Sequence, residues 1–208
     1  MPTLVTAMFT FPLGKDAALL PLTPLLADAC HELLAANQER LARWVPWATK
    51  PVTLEQTRSF LEANGRAWME GTELQVVIAV RAGDRWQLVG SAGLWINTDN
   101  RSADGGYWID AAFEGRGLVT RAMTALLDQA FRPLGLARVA LHIDVANQRS
   151  RALADRLGFT EEGVHRQAVG FPDGRRDEVV YGLLAAEWLA RRISREGTGL
   201  PVDGRGAQ

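Results

Sequence analysis

The 208-residue chain has one cysteine, Cys30, and two lysines, Lys15 and Lys50. One thiol closes no internal disulfide, and no Cys/His cluster stands at zinc spacing, so neither a disulfide scaffold nor a metal site is indicated. No uninterrupted apolar run reaches the ~20 residues that cross a bilayer. The opening Met1-Pro2-Thr3-Leu4 lacks the basic end and apolar stretch of a signal peptide. Neither charge dominates: 23 basic and 24 acidic residues leave a formal net charge of −1, which speaks against a non-specific nucleic-acid coat. The expectation is a cytoplasmic protein with no membrane and no nucleic-acid partner.

What the chain does have is core. Hydrophobic residues make up 47% and charged residues 23%, a balance that suits one globular domain. That domain is expected over 1–193. The stretch 194–208, with Gly197, Gly199, Gly204 and Gly206 and no apolar period, reads as a loose tail. Leu19-Leu20-Pro21-Leu22 predicts an opening strand. Thr23 then offers an N-cap and Pro24 a first helical position, with Leu25, Leu26, Ala29, Cys30, Leu33 and Leu34 at helical spacing. Thr53 and Gln56 make a capping box for a second helix carrying Phe60, Leu61, Ala67 and Trp68, weakened by Gly65. Runs at 74–80 and 86–95 about the Gly83-Asp84 turn predict a hairpin, and Tyr107-Trp108-Ile109 a further strand. Leu118, Ala122, Leu126 and Ala130 line one face of a helix, away from Arg121, Thr124 and Asp128. Val139, Leu141, Ile143 and Val145 alternate with Ala140, His142, Asp144 and Ala146, as in a strand. A short helix over 150–157 closes at Gly158, strands at 159–165 and 178–184 flank Pro172-Asp173-Gly174, and a last helix holds Trp188 and Leu189. The expected class is α/β (α+β): one domain with a mixed sheet of about seven strands and helices on both faces.

The segment Tyr107-Trp108-Ile109-Asp110-Ala111-Ala112-Phe113-Glu114-Gly115-Arg116-Gly117-Leu118-Val119-Thr120 reads as strand, glycine turn, helix. Gly115 and Gly117 permit unusual backbone angles and close approach of a ligand. The helix start presents free N–H groups and the positive end of the dipole, a site for phosphate or pyrophosphate. By itself the pattern fits a tight turn with no ligand equally well. It is neither a Walker loop nor a G-x-G-x-x-G fingerprint.

The same segment resembles the acetyl-CoA-binding motif of the GNAT acetyltransferase superfamily, Gln/Arg-x-x-Gly-x-Gly/Ala. Here it reads Glu114-Gly115-Arg116-Gly117-Leu118-Val119, departing at the first and last positions. Four further stretches are similar to the RimJ/RimL branch, which acetylates ribosomal-protein N-termini. They are Leu41-Ala42-Arg43-Trp44-Val45-Pro46-Trp47, Gly106-Tyr107-Trp108-Ile109, Asn147-Gln148-Arg149-Ser150 with Leu157-Gly158-Phe159, and Asp177-Glu178-Val179-Val180-Tyr181. The matches run in the family's order from about Leu19 to Trp188. The resemblance implies a single GNAT-like domain with a twisted, mostly antiparallel sheet. It implies acetyl-CoA as cosubstrate, bound by Tyr107, Trp108, Ile109, Gly115, Arg116, Gly117, Leu118, Val119, Thr120, Asn147 and Ser150. It further implies direct acetyl transfer to a primary amine, with the thioester carbonyl against the Tyr107-Trp108-Ile109 strand where that strand opens away from the one ending at Val145. Backbone N–H groups there would stabilise the oxyanion.

Candidate catalytic residues are Ser150, His142 and Asp104. Asn147 is implied to hold the pantetheine arm, and its position also suits a helix cap. Ser150 is implied to lie near the departing sulfur as an acid, or else it satisfies a first-turn N–H. Many family members use a tyrosine where this chain has Ala154. Some RimL-like enzymes carry a glutamate after Gly-x-x-x-Gln-Ala, but here Gly163-Val164-His165-Arg166-Gln167-Ala168 is followed by Val169. His142 matches, by its distance from Asn147, a strand glutamate used as base in RimI-like relatives, and a histidine with an ordinary pKa of about 6.5 suits the task. A histidine packed under a helix is the plain alternative. Asp104 is the third candidate, or a turn-closing aspartate. Trp44 and Trp47 form either a wall of the acceptor groove or part of the core. Asp144 could hold a cationic acceptor. Cys30, on an apolar helix face, is core packing rather than a nucleophile. Arg149, Arg151 and Arg156 either reach the CoA phosphates or lie solvated.

At pH 7 removing a proton costs about 1 kcal/mol for an α-amine and about 4.6 kcal/mol for a lysine amine. The lack of an obvious carboxylate base therefore favours a protein N-terminal α-amine, as in the ribosomal-protein enzymes. A small-molecule amine (amino acid, polyamine or antibiotic) and a non-catalytic CoA-binding module stand as alternatives. A homodimer is compatible with each.

Overall fold

A sheet whose strands are apolar on both faces needs helices on both sides, and this chain supplies them. A computed structural model describes residues 10–197. Its strands are β1 (Phe11–Pro12), β2 (Ala17–Pro21), β3 (Glu73–Ala82), β4 (Arg85–Asn97), β5 (Ser102–Ile109), β6 (Arg138–Asp144), β7 (Thr160–Phe171) and β8 (Gly174–Leu184). Its helices are α1 (Ala27–Leu41), α2 (Leu54–Met69), α3 (Leu118–Phe131), α4 (Gln148–Leu157) and α5 (Ala185–Gly197), with 3₁₀ turns at Pro24–Leu26, Pro46–Thr49 and Ala111–Phe113. The strands form one sheet in the order β1-β2-β3-β4-β5-β6-β8-β7. Every neighbouring pair is antiparallel except β5 and β6, which are parallel.

Alternation along the strands divides the core in two. Leu20, Val77, Ala79 and Leu88 face α1 and α2, packing with Ala29, Cys30 and Leu61. Leu19, Ile78, Val139, Leu141 and Ile143 face the other way, against Leu118, Ala122 and Leu126 of α3, Leu153 of α4 and Trp188 of α5. Past β4 the face that carries α1 and α2 is covered only in part, by the end of α1 at Ile109 and Asp110 and by the loop after α1 at Arg176, and the polar residues of β5, β6 and β8 lie on it.

The mixed sheet with helices on both faces agrees with the sequence reading, and the differences are local. Eight strands replace about seven, because β1 is a two-residue exposed strand paired to β2 and too short to show alternation. The Thr23 side chain caps nothing; Pro24 opens a 3₁₀ turn, α1 starts at Ala27, and Leu25 is exposed. The capping box at Thr53 and Gln56 is present, with reciprocal bonds of 3.2 and 2.8 Å, and α2 continues through Gly65. Leu61 is its core residue, while Phe60 and Trp68 face outward. Helix α5 extends to Gly197, so residues 194–197 of the expected tail are helical. The rest of that tail, 198–208, lies outside the described residues. Among the described residues no helix is long and apolar enough to cross a membrane.

The box makes a prediction. Thr53→Ala leaves the Gln56 N–H without its cap and should lower stability by about 1 kcal/mol. Thermal unfolding of the two proteins checks this; an unchanged midpoint would mean that the box contributes nothing.

Candidate functional site

The parallel pairing of β5 and β6 runs from Ser102 opposite Arg138 to Gly105 opposite Leu141, and then stops. Both strands continue, β5 to Ile109 and β6 to Asp144. Each is held by its outer neighbour. Strand β5 keeps its ladder with β4 as far as Ile109 opposite Gly90, and β6 keeps its ladder with β8 as far as Asp144 opposite Glu178. A bulge at Val89 interrupts β4, and the Val89 carbonyl accepts the Asp110 N–H at 2.7 Å, fixing the end of β5. Residues 106–109 thus present a strand edge to a wedge-shaped gap.

At the mouth of the gap lies the glycine turn. Gly115 and Gly117 have φ of +74° and +70°, left-handed values that favour glycine. A Cβ built at either position would meet no protein atom within 4 Å, so the turn has an open face. The first N–H to bond within α3 is that of Arg121, to the Gly117 carbonyl at 3.0 Å, which leaves those of Leu118, Val119 and Thr120 for a ligand. These features fit a diphosphate. Arg116 folds back over the Phe113 ring and bonds the Ala112 carbonyl. Glu114, the departure from the motif, is paired with Arg40 at 2.9 Å and with Arg149.

Sequence periodicity missed the residues behind this turn. Asn37, buried on α1, donates to Asp110 at 2.9 Å and to the Leu33 carbonyl at 3.0 Å. Arg40, one turn on, bonds the Ile109 carbonyl and the Asn37 side chain. Asp110 in turn accepts the Ala112 N–H at 2.8 Å. Helix α1 is thereby fastened to the end of β5. The only signal was a polar pair, Asn37 and Arg40, on a helix whose buried side is otherwise apolar.

The proton-handling candidates lie on the two faces of the sheet. Asn147 caps α4 by accepting the Ser150 N–H at 3.2 Å, as its position suggested. The Ser150 hydroxyl does not satisfy a first-turn N–H. It sits 2.8 Å from the Tyr107 hydroxyl, across the gap from β5. Burial pushes the Tyr107 phenol up to about 12, so it is neutral and can donate. Ala154 is fully buried, yet a tyrosine stands at the site all the same, supplied by β5 instead of α4.

On the opposite face, His142 is the first β6 residue past the last pair with β5. Its Nε2 is 3.4 Å from Asp104 Oδ1, and its Nδ1 is 3.9 Å from Glu178 Oε2. His165 adds a second ring, with centroids 6.1 Å apart. Burial raises the Glu178 carboxyl above its ordinary range, partly offset by His142 and His165. A carboxylate beside the candidate base was thus present after all, brought in by β8. Its signal was the matched Asp177-Glu178-Val179-Val180-Tyr181 stretch. His142 is not packed under a helix; its side chain is 38% exposed.

Other candidates are placed less directly. The Asp144 carboxylate is 8% exposed, accepts the Ala146 N–H at 2.8 Å and faces Arg176 at 3.6 Å, so it supports the turn before α4. Arg176 also donates to the Arg43 carbonyl at 2.6 Å, joining the β7–β8 hairpin to the loop after α1. In that loop neither tryptophan fills the core: Trp44 is half-buried, and Trp47 is exposed over a small hollow lined by Leu34, Leu41 and Val52. The buried residue there is Ala48. Arg151 binds Tyr181 and Glu161, and Arg156 bonds the Ala152 carbonyl, so of the three arginines Arg149 is the one at the turn. Cys30 is buried, and its thiol is pushed up to about 12 by that burial, which makes it packing. Among the described residues no group of His, Cys, Asp and Glu is arranged to hold a metal.

Comparison with known proteins identifies the family and the fold. The chain matches the Acetyltransferase (GNAT) domain family over residues 18–160. It is 35% identical over 185 residues to YdaF of Bacillus subtilis (strain 168), provisionally named a ribosomal N-acetyltransferase, covering 87% of this chain and 98% of the other. It is 26% identical over 155 residues to the ribosomal-protein-serine acetyltransferase of Escherichia coli (strain K12), covering 74% and 84%. Among solved structures, a probable acetyltransferase superposes with a TM-score of 0.80 at 33% identity, over 87% of this chain and 99% of that one. Mycobacterium smegmatis RimJ in complex with CoA-disulfide superposes with a TM-score of 0.75 at 25% identity, over 94% and 95%. With the family's domain matched over residues 18–160 and a relative 35% identical over most of both chains, the chain belongs to the GNAT acetyltransferases.

Proposed function

We propose that this N-acetyltransferase moves an acetyl group from acetyl-CoA directly to the α-amine of a protein N-terminus, most closely that of a ribosomal protein. The observation that carries the reading is the division of proton-handling groups between the two faces of the sheet where β5 and β6 part. His142, with Asp104 and Glu178, lies on the partly covered face, and Ser150 with Tyr107 lies on the other. An amine can enter from one face while a thiol leaves on the other.

Acetyl-CoA supplies the activated acyl group. The N–H groups of 115–120 hold its diphosphate, and the β5 edge at 106–109 binds its carbonyl and stabilises the oxyanion. Asp104 and Glu178 attract the cationic amine, and His142 Nε2 or Nδ1 takes its proton. The Ser150 hydroxyl, backed by Tyr107, gives a proton to the departing sulfur. Trp44 and Trp47, beyond the Arg176 link, border the acceptor side. A homodimer is compatible with this arrangement. The proposed compartment is the cytoplasm. With a net charge of −1, attraction to a basic protein has to come from the local carboxylates. The substrate class draws on the relatives named for ribosomal proteins.

Three measurements test the parts separately. Gly117→Val puts a side chain into the open face of the turn. Its Cβ meets no protein atom, but a φ of +70° strains any L side chain, so thermal unfolding is read alongside; with the fold intact the acetyl-CoA dissociation constant should rise tenfold or more, and unchanged affinity in calorimetry rejects the turn as the diphosphate site. Ser150→Ala should lower kcat with acetyl-CoA affinity within a few-fold of wild type, and His142→Ala should abolish the acidic limb of the pH–rate profile. A limb that persists in His142→Ala moves the base to Glu178 or Asp104. Finally, peptides with free or blocked N-termini, each carrying a lysine, should compete so that only the free α-amine is modified. Transfer mainly to lysine, or only to small amines, would replace the α-amine reading with the small-molecule one.

A further inference from the structure

A carboxylate directly before an anion-binding turn is a conflict unless it is neutralised, and here the neutralisation is visible. Glu114 precedes Gly115, and its side chain is 28% exposed between Arg40 and Arg149. The two arginines are held very differently. Arg40 is anchored by Glu114 at 2.9 Å, by the Ile109 carbonyl and by Asn37 at 3.2 Å, and its side chain is 29% exposed. Arg149 stands in the first turn of α4 with its side chain 84% exposed, and its only side-chain hydrogen bond among the described residues goes to Glu114. The like charges of Arg40 and Arg149 oppose each other, since Arg149 helps depress the Arg40 pKa after the larger effect of burial. Glu114 is the carboxylate that pairs with both cations, and Asp110 adds a second negative charge near Arg40.

We infer that Glu114 acts as a built-in stand-in for the ligand's diphosphate, holding Arg149 beside the turn and surrendering it when a diphosphate arrives. The inference rests on the proposal that the 115–120 turn binds the diphosphate of acetyl-CoA. In this structure the Arg149 guanidinium pairs with the carboxylate. In the bound protein it pairs with phosphate oxygens, which match its planar donors at least as well and carry more charge. Arg40 stays on Glu114, because its bonds to the Ile109 carbonyl and the Asn37 side chain fix it there. Glu114 therefore lowers affinity for the charged half of the cosubstrate, through competition for Arg149 and through repulsion, and leaves the acyl arm untouched. No bond is made or broken in this exchange.

The test is calorimetry with two probes: CoA, and pantetheine, which has the same arm without phosphates. Glu114→Gln keeps the shape and removes the charge. It should tighten CoA about tenfold and leave pantetheine unchanged. Arg149→Gln should weaken CoA several-fold, and weaken it more in the Glu114→Gln background, where Arg149 no longer has to be released. Thermal unfolding guards against a fold defect, and Glu114→Ala serves as a second variant if Glu114→Gln disturbs the packing of α1 through Arg40. Unchanged or weaker CoA binding in folded Glu114 variants, or an equal change for pantetheine, overturns the inference. Failure of wild type and every variant to bind CoA overturns the diphosphate site itself, a distinct result.

Discussion

The site depends on one termination: the parallel ladder between β5 and β6 ends at Gly105 and Leu141 although both strands go on. A strand edge left unpaired inside a sheet exposes N–H and C=O groups that need partners. Here the edge is kept open because each strand is committed elsewhere. The β4 ladder, the Val89 bulge and Arg40 hold the end of β5. The β8 ladder and the Val145 N–H to Asp177 carbonyl bond at 3.2 Å hold the segment after β6. The Tyr107–Ser150 contact at 2.8 Å and the Glu114–Arg149 pair join the two sides across the gap.

The proposed chemistry and its direction both rest on this one feature. A thioester carbonyl lying in the gap meets fixed N–H donors without any reorganisation of solvent, and such preorganised donors are where much of the rate enhancement in acyl transfer arises. The gap also gives access to both faces of the sheet. On the face carrying α3, α4 and α5, Tyr107 and Ser150 are partly buried, and burial keeps the Tyr107 phenol neutral. The opposite face is covered only in part, and there Asp104, His142 and Glu178 can receive a cation from solvent. Burial of Glu178 favours its neutral form, and the neighbouring histidines favour its charged form, so its proton is sensitive to what binds beside it.

Local rules made much of this legible. The Gly115 and Gly117 turn shows in the sequence because left-handed backbone admits few other residues, and the Thr53 box shows because its partners are three residues apart. Period-two alternation placed His142 and Asp144 on one face. What alternation cannot say is which strand comes next. Glu178 reaches His142 only because β8 runs between β6 and β7, and Tyr107 reaches Ser150 across 43 residues of chain. The Asn37–Asp110 bond spans 73 residues and likewise needed the packed fold to appear. Exposed aromatics misled for a related reason: Phe60 and Trp68 fit a helical spacing, but only the position of the sheet determines which side of α2 is covered.

The central claim is that the open β5 edge and the turn that follows it receive acetyl-CoA. Amide hydrogen exchange, read by mass spectrometry with and without acetyl-CoA, tests it without altering a residue. The account predicts slowed exchange in peptides covering 106–109 and 115–120, with little change in the β7–β8 hairpin. Protection confined to the hairpin or to α2, with those two segments unaffected, would contradict it.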